Sequence, residues 1–309
     1  MRQFAFAVFA VALSAAAPAF AQGTTGGDDI VVTASRLDEM IREFVSEVTV
    51  EQQAEGQIAR WDRRICPQIA GLHRRQAQFM VDRLSQRAHQ VGLQPGDPQC
   101  RANILIFVTP DADRFTHELT AQFPEVFDPR VPNMHQQSGE ALARFVDSDA
   151  PVRWWHVSQT VSMEGQIVRN TDPRWDRQSG LRGLSIVRTG ITSRIQRPTH
   201  QDFNRVVIVV DATRAAGFRF DALADYVAMV ALAQIDPGAD TSENDTVLNL
   251  FISAPTAQPA SMTTWDIAYL EGLYEARPNA WTARQQQADI SRRMRTTDLD
   301  AEYLDEDAP

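Results

Sequence analysis

Trp154, Trp155 and His156 are the adjacent side chains in this sequence best suited to contact a ligand. They lie in a strand-like run over 152–161, and alternation along a strand puts Trp154 and His156 on one face and Trp155 on the other. Exposed aromatic rings beside a histidine can stack on a sugar or a peptide. The alternative, which we favour, is that one tryptophan packs in the core while the other covers a sheet edge.

Asp225 is a candidate acid/base group, because it is the only acidic residue in the apolar helical run over 222–235. A buried carboxylate can have a raised pKa and serve as general acid or base, and His156 is the other candidate for that role. Asp225 also falls in the first turn of its helix, where a carboxylate interacts favourably with the helix dipole. We favour this structural role.

Motifs for metal and nucleophilic chemistry are incomplete. His117-Glu118 begins like the zinc-binding pattern H-E-x-x-H, but the position of the second histidine is Ala121. Gly183-Leu184-Ser185 begins like a serine-nucleophile turn, but Val187 stands where the last glycine is required. The sequence therefore predicts no metal site and no cofactor.

Charge excludes some partners and leaves others open. The 40 acidic residues outnumber the 30 basic ones and give a net charge of −10, so we expect no nucleic-acid partner. Every basic residue is an arginine, which excludes lysine chemistry. A local basic stretch comprises Arg169, Arg174, Arg177, Arg182, Arg188, Arg194 and Arg197. It could bind an anionic polymer or lipid head groups, although we favour a solvated strand face.

The amino terminus predicts export. Arg2, the apolar run over 4–13 and the small-x-small site Ala19-Phe20-Ala21 are typical of a signal peptide cleaved after Ala21. No later apolar stretch reaches the roughly 20 residues that span a membrane. Cys66 and Cys100 agree with an oxidising compartment, and we predict a disulfide between them. The expected location is the periplasm or the exterior.

Hydrophobic patterns predict an α+β protein. Strands are expected at 103–109, 152–161, 184–195 and 205–211, and helices at 69–91, 222–235, 263–276 and 282–295. These elements predict a mixed four-stranded sheet packed by helices. The expected organisation is a signal peptide (1–21), a flexible segment (22–35), one α+β domain (36–296) and an acidic disordered tail (297–309).

The order of these elements resembles that of zincin-like metalloprotease domains over about residues 69–276. The segments Leu223–Gln234 and Met262–Tyr274 also resemble families of uncharacterised exported bacterial proteins. In zincins the helix after the last strand carries the metal motif. If Ala231-Leu232 is aligned with that motif, the ligand and base positions become Tyr226, Val227 and Val230, none of which can perform the chemistry. The resemblance thus implies the fold without the activity.

From these observations we predict an exported, non-catalytic binding or accessory protein on a degenerate zincin-like fold. Its partner is unknown, and an envelope protein or an anionic polymer is the expected kind. The alternative is an envelope hydrolase, acting on peptides or glycans, with Asp225 or His156 as the acid/base group.

Overall fold

The computed structural model describes residues 26–50, 56–127, 135–136, 139–168 and 196–297. The chain divides into two compact units, Met1–Leu37 and Asp38–Pro309. The helix α1 (Gly26–Val48) begins in the first unit, within the segment predicted to be flexible, and ends in the second. The predicted signal peptide, the arginine-rich stretch from 169 to 195 with its predicted strand, and the acidic tail from 298 lie outside the described residues.

The second unit contains the sheet and the helices that pack on it. In chain order after α1 these are β1 (Pro67–Ala70), α2 (Arg74–Gln90), β2 (Ile104–Thr109), α3 (Ala112–Gln122), α4 (Pro124–Phe127), β3 (His135–Gln136), α5 (Gly139–Asp147), β4 (Val152–Ser162), β5 (Thr199–Asp211), α6 (Phe220–Leu232), a 3₁₀ helix (Val247–Phe251), α7 (Thr264–Glu275) and α8 (Ala283–Met294). Within the described ranges, none of the helices has both the length and the apolar composition that crossing a membrane requires.

The sheet is mixed, with strand order β1-β2-β5-β4-β3. β1, β2 and β5 run parallel, whereas β4 is antiparallel to β5 and β3 is antiparallel to β4. The predicted α+β class with a mixed sheet is confirmed. Four strands have at least four residues, and the two-residue β3 extends the sheet beside β4.

Helices cover both faces of the sheet. Trp155, Val157, Val207 and Val209 form one apolar cluster with side chains of α3, α4 and α5. On the opposite face lies α6, in which every residue from Ala222 to Leu232 is buried. A helical run that is apolar all round, as 222–235 is, must be enclosed by other elements, and the buried position of α6 agrees with that pattern.

The strand β1 is an addition to the predicted elements. Its last two residues, at positions 69 and 70, were predicted to begin a helix, but that helix begins at Arg74. Gly71 separates the two elements with φ of 92°, and a Cβ at this position would lie 1.9 Å from the Val108 carbonyl oxygen. Only glycine fits this close approach, which lets the chain leave the sheet edge before α2 begins.

Candidate functional site

The aromatic cluster predicted on β4 lies inside the protein. Trp154 and His156 face the side of the sheet covered by α6. The His156 ring nitrogen Nε2 lies 2.8 Å from the carbonyl oxygen of Val230 in α6, and the Trp154 ring nitrogen lies 3.0 Å from that of Ile235, just after the helix. Trp155 faces the other side and donates to the Val126 carbonyl. All three side chains are buried, with 6%, 0% and 1% exposure in chain order. No ring face is therefore open for a ligand to stack on.

Burial also limits the chemistry of His156. Its ring stacks on Phe203 at a centroid distance of 5.1 Å. Burial lowers the pKa of His156 to about 4, although the hydrogen bond to Val230 acts in the opposite direction. The imidazole is consequently neutral at neutral pH.

Asp225 lies between α6 and α2 with a fully buried side chain. Arg83 and Arg87 each donate two hydrogen bonds of 2.7–2.8 Å to its oxygens, and the Met262 amide donates a fifth at 2.8 Å. Burial by itself raises the pKa of Asp225, but the hydrogen bonds from Arg87, Arg83 and Met262 outweigh it and lower the pKa overall. The carboxylate is fully engaged, and it shares none of its partners with His156.

The described residues contain no group of three or more histidine, cysteine, aspartate or glutamate side chains that could hold a metal ion. The positions that the zincin resemblance assigns to ligands and base are Tyr226, Val227 and Val230, and all three are buried in α6. Their side chains offer no imidazole or carboxylate.

The carboxyl ends of β2 and β5, where open α/β sheets commonly bind ligands, hold a network of charged side chains. Arg153 and Arg214 both contact Asp113, and Arg214 also contacts Asp211 and Asp149. Hydrogen bonds from Arg214 and Arg153 lower the pKa of Asp113 to about 2. These charges satisfy one another, so neither Arg153 nor Arg214 is free for an anionic ligand among the residues that the structure describes.

The opposite edge, at the amino ends of the parallel strands, is organised by the predicted disulfide. Cys66 and Cys100 are bonded across a sequence separation of 34 residues, which confirms the pairing. Cys66 directly precedes β1, and Cys100 lies shortly before β2. The bond therefore holds Arg64 and Arg101, which lie close to the two cysteines in sequence, at the same end of the sheet.

A cavity of about 330 Å³ opens at this edge. We call it the arginine pocket. It is lined by Arg63, Arg64, Arg101, Ala102, Asn103, Asn204 and Arg205. Four of these seven residues are cationic, and no acidic residue is among them.

Two asparagines shape the arginine pocket. Asn103 accepts a hydrogen bond from the Cys66 amide at 2.6 Å and donates to the Arg64 carbonyl at 3.0 Å, which fixes the backbone on the β1 side. Asn204 is the extra residue of a β-bulge, since Val157 pairs with Arg205 whereas Ser158 pairs with Phe203. Bulges change the direction of side chains along a strand and are common beside functional sites.

The four arginines differ in how their charges are compensated. Arg63 binds the buried Asp202 through two nitrogens, whereas Arg64 makes an exposed contact of 3.4 Å with Asp97. An exposed ion pair of this kind contributes about 0–1 kcal/mol and leaves Arg64 free to turn towards a ligand. Arg101 and Arg205 have no carboxylate within 4.0 Å in the described part of the chain. The pocket therefore carries excess positive charge in a protein whose net charge is −10.

The sequence pattern did not indicate this site, because its residues are scattered over positions 63 to 205. One signal was available: the predicted disulfide would bring Arg64 and Arg101 together. No signal indicated Arg205, which reaches the same place through the parallel pairing of β2 with β5. Comparison with known proteins adds no assignment, since no family model, curated protein or solved structure matches this chain.

Proposed function

We propose that this chain is an exported, non-catalytic binding or accessory protein that holds the anionic group of its ligand in the arginine pocket. The observation that carries the proposal is a concave site with four arginines, two of which have no carboxylate partner among the described residues. Guanidinium groups present planar pairs of donors that match the oxygens of phosphate, sulfate and carboxylate.

The energy available to such a site is substantial. At an effective dielectric constant of about 20, an anion roughly 4 Å from one guanidinium gains about 4 kcal/mol before desolvation is counted. Partial enclosure by the strand ends and the loop at Cys100 reduces screening relative to a flat surface. An anionic ligand would supply the negative charge that Arg101 and Arg205 lack among the described residues.

Placement of the other candidates favours binding over hydrolysis. Asp225 is occupied by two arginines and a backbone amide, and the buried His156 ring nitrogen is occupied by a backbone carbonyl. A general acid or base must reach the atom to which it transfers a proton. Neither group is positioned to do so in this structure.

The zincin-like arrangement and export remain part of the proposal. The helix α6, buried from Ala222 to Leu232, follows β5, as the resemblance implies for the helix that would carry the metal motif. A disulfide is expected of a protein that matures in an oxidising compartment. Both observations support an exported protein that keeps this arrangement without its metal ligands.

Isothermal titration of the oxidised chain with inorganic phosphate and with sulfate tests the proposal. We expect saturable binding that weakens between about 0.05 and 0.3 M salt, because part of the attraction is screened. Losing two charged hydrogen-bond donors should weaken binding at least about tenfold in the double variant Arg101→Ala/Arg205→Ala.

The matched control is Arg74→Ala/Arg75→Ala, which removes the same charge from two exposed arginines at the start of α2. This variant should bind as the unaltered chain does, within about twofold. The proposal is contradicted by equal weakening in both double variants, or by the absence of saturable binding to phosphate, sulfate and carboxylate probes alike.

A further inference from the structure

A second cavity of about 630 Å³ adjoins the arginine pocket, and Arg63 and Arg64 line both. We call it the polar cavity. Its lining comprises Arg60, Trp61, Asp62, Arg63, Arg64, Val91, Gly92, Leu93, Gln94 and Tyr274. Because Arg63 and Arg64 line both cavities, the cavities are direct neighbours, and a ligand that extends past these two side chains reaches both.

The accessible lining of the polar cavity is hydrophilic. Asp62, Gly92 and Gln94 are exposed, whereas Trp61, Val91 and Leu93 have at most 9% of their surface exposed. A hydrocarbon chain would gain little there, since apolar burial requires apolar surface on both partners. A body rich in hydrogen-bonding groups is the complementary occupant.

Arg60 does not contribute a free charge to this cavity. Its Nη1 donates to the carbonyl oxygens of Leu273, Tyr274 and Ala276 at 2.7–2.8 Å, at the carboxyl end of α7. It is therefore committed to the helix end. The difference in charge between the polar cavity and the arginine pocket therefore depends on residues other than Arg60.

Asp62 makes the two ends of the combined site differ in charge. Among the described residues that line the two cavities, it is the only carboxylate, and it lines the polar cavity alone. Its side chain is 55% exposed, and Oδ2 lies 3.1 Å from Nε2 of the buried His200. The remaining carboxylate lone pairs can accept hydrogen bonds from hydroxyl groups, and the charge disfavours a second anion.

We infer that the ligand is an acidic saccharide, whose phosphate or carboxylate occupies the arginine pocket and whose hydroxyl-bearing ring occupies the polar cavity beside Asp62 and Gln94. This inference rests on the proposed function, because it assigns the class of ligand to the same site. It adds that the uncharged part of the ligand is hydroxylated and that the anion enters at the Arg101 and Arg205 end.

Titrations with two pairs of probes test the inference. Glucose 6-phosphate is compared with inorganic phosphate, and glucuronate is compared with acetate. We expect at least one sugar acid to bind ten or more times as tightly as its partner without the ring, and the pair that responds identifies the anion as phosphate or carboxylate.

Two variants locate the contact with the ring. Asp62→Ala and Gln94→Ala should each reduce the advantage of the responding sugar acid at least threefold without weakening binding of its ring-free partner. Asp82→Ala, which removes an exposed carboxylate on α2 outside both cavities, should leave the advantage unchanged.

The outcomes separate the two proposals. If phosphate or acetate binds but neither sugar acid binds more tightly, the saccharide inference is overturned and the anion site stands. An advantage that survives both Asp62→Ala and Gln94→Ala also overturns the inference, because the ring would then lie elsewhere. If no probe binds the unaltered chain, the proposed function and the inference both fail.

Discussion

Replacing Asp225 with asparagine tests whether the fully buried acid of α6 is a structural group. The substitution preserves the size of the side chain and removes its charge. Five hydrogen bonds now end on the carboxylate, four from Arg83 and Arg87 and one from the Met262 amide. An asparagine has one acceptor oxygen and cannot replace them.

The expected loss of stability follows from the burial of the partners. The side chains of Arg83 and Arg87 have 23% and 9% of their surface exposed. Arg83 can regain water when its partner is neutralised, but Arg87 is left as a buried charge without compensation. Removing one partner of a buried ion pair costs about 3–5 kcal/mol, and we expect Asp225→Asn to lower the free energy of unfolding by that amount.

Urea denaturation at pH 7 measures this change, and Asp221→Asn is its matched control. Asp221 lies in the first turn of the same helix and also pairs with an arginine, but the side chains of Asp221 and Arg219 are 35% and 65% exposed. We expect the control to lose less than about 1 kcal/mol. Because the folded pKa of Asp225 is lowered, its contribution is present above the unfolded pKa of about 3.9 and lost as the pH falls through the folded value.

An unfolding free energy for Asp225→Asn within about 1 kcal/mol of the unaltered chain would refute this argument, because an ion pair of such burial must cost more to break. If the same variant also abolished a hydrolytic activity detected in the unaltered chain, the hydrolase alternative would become the better account of Asp225.

Three further predictions concern the disulfide and two buried titratable groups. Cys66→Ser/Cys100→Ser should lower the unfolding free energy by about 3–4 kcal/mol, because an open loop has more freedom when unfolded, and equal urea midpoints would contradict it. Burial raises the pKa of Asp266 to about 6, so the protonated carboxyl contributes to the free energy of unfolding. This contribution is complete below about pH 3.9 and is lost as the pH rises through 6. Asp266→Asn should remove this fall, measured by denaturation at several pH values, and an unchanged profile would argue against it. Burial lowers the pKa of His156 to about 4, so the neutral ring contributes to the free energy of unfolding fully above about pH 6.5, and this contribution is lost as the pH falls through 4. His156→Phe should remove this loss of stability at low pH, and a loss that persists in the variant would exclude His156 as its source.

The sequence predicted those elements whose signal is local. β5 is rich in β-branched residues, α6 is apolar on all sides, and the start of α7 has a capping box in which Thr263 and Asp266 each bond the other's backbone. Each pattern requires only neighbouring positions to be recognised. The ends of α6 and α7 differ from the predictions by at most three residues, whereas β5 begins at Thr199, six residues before its predicted start.

Features that depend on partners distant in the sequence were not predicted. β1 has four residues, too few for alternation to be distinguished from the first turn of a helix. The hydrogen bonds of β1 come from the parallel strand β2, and α2 must cross between them. The predicted strand pattern at 152–161 was correct, yet it could not say whether Trp154 and Trp155 meet water or helices. That outcome depends on α6 and α5, which lie elsewhere in the chain.

The two edges of the parallel strands indicate why the arginine pocket is the stronger candidate site. At the carboxyl ends, Arg153 and Arg214 are matched by Asp113, Asp149 and Asp211, so the charges stabilise that edge without a ligand. At the amino ends, the disulfide and the pairing of β2 with β5 gather four arginines, of which Arg63 alone has a buried carboxylate partner among the described residues. Holding like charges together costs free energy in the unliganded protein. An anion that enters the pocket relieves this repulsion, which is why uncompensated charge indicates a binding site more strongly than a balanced network does.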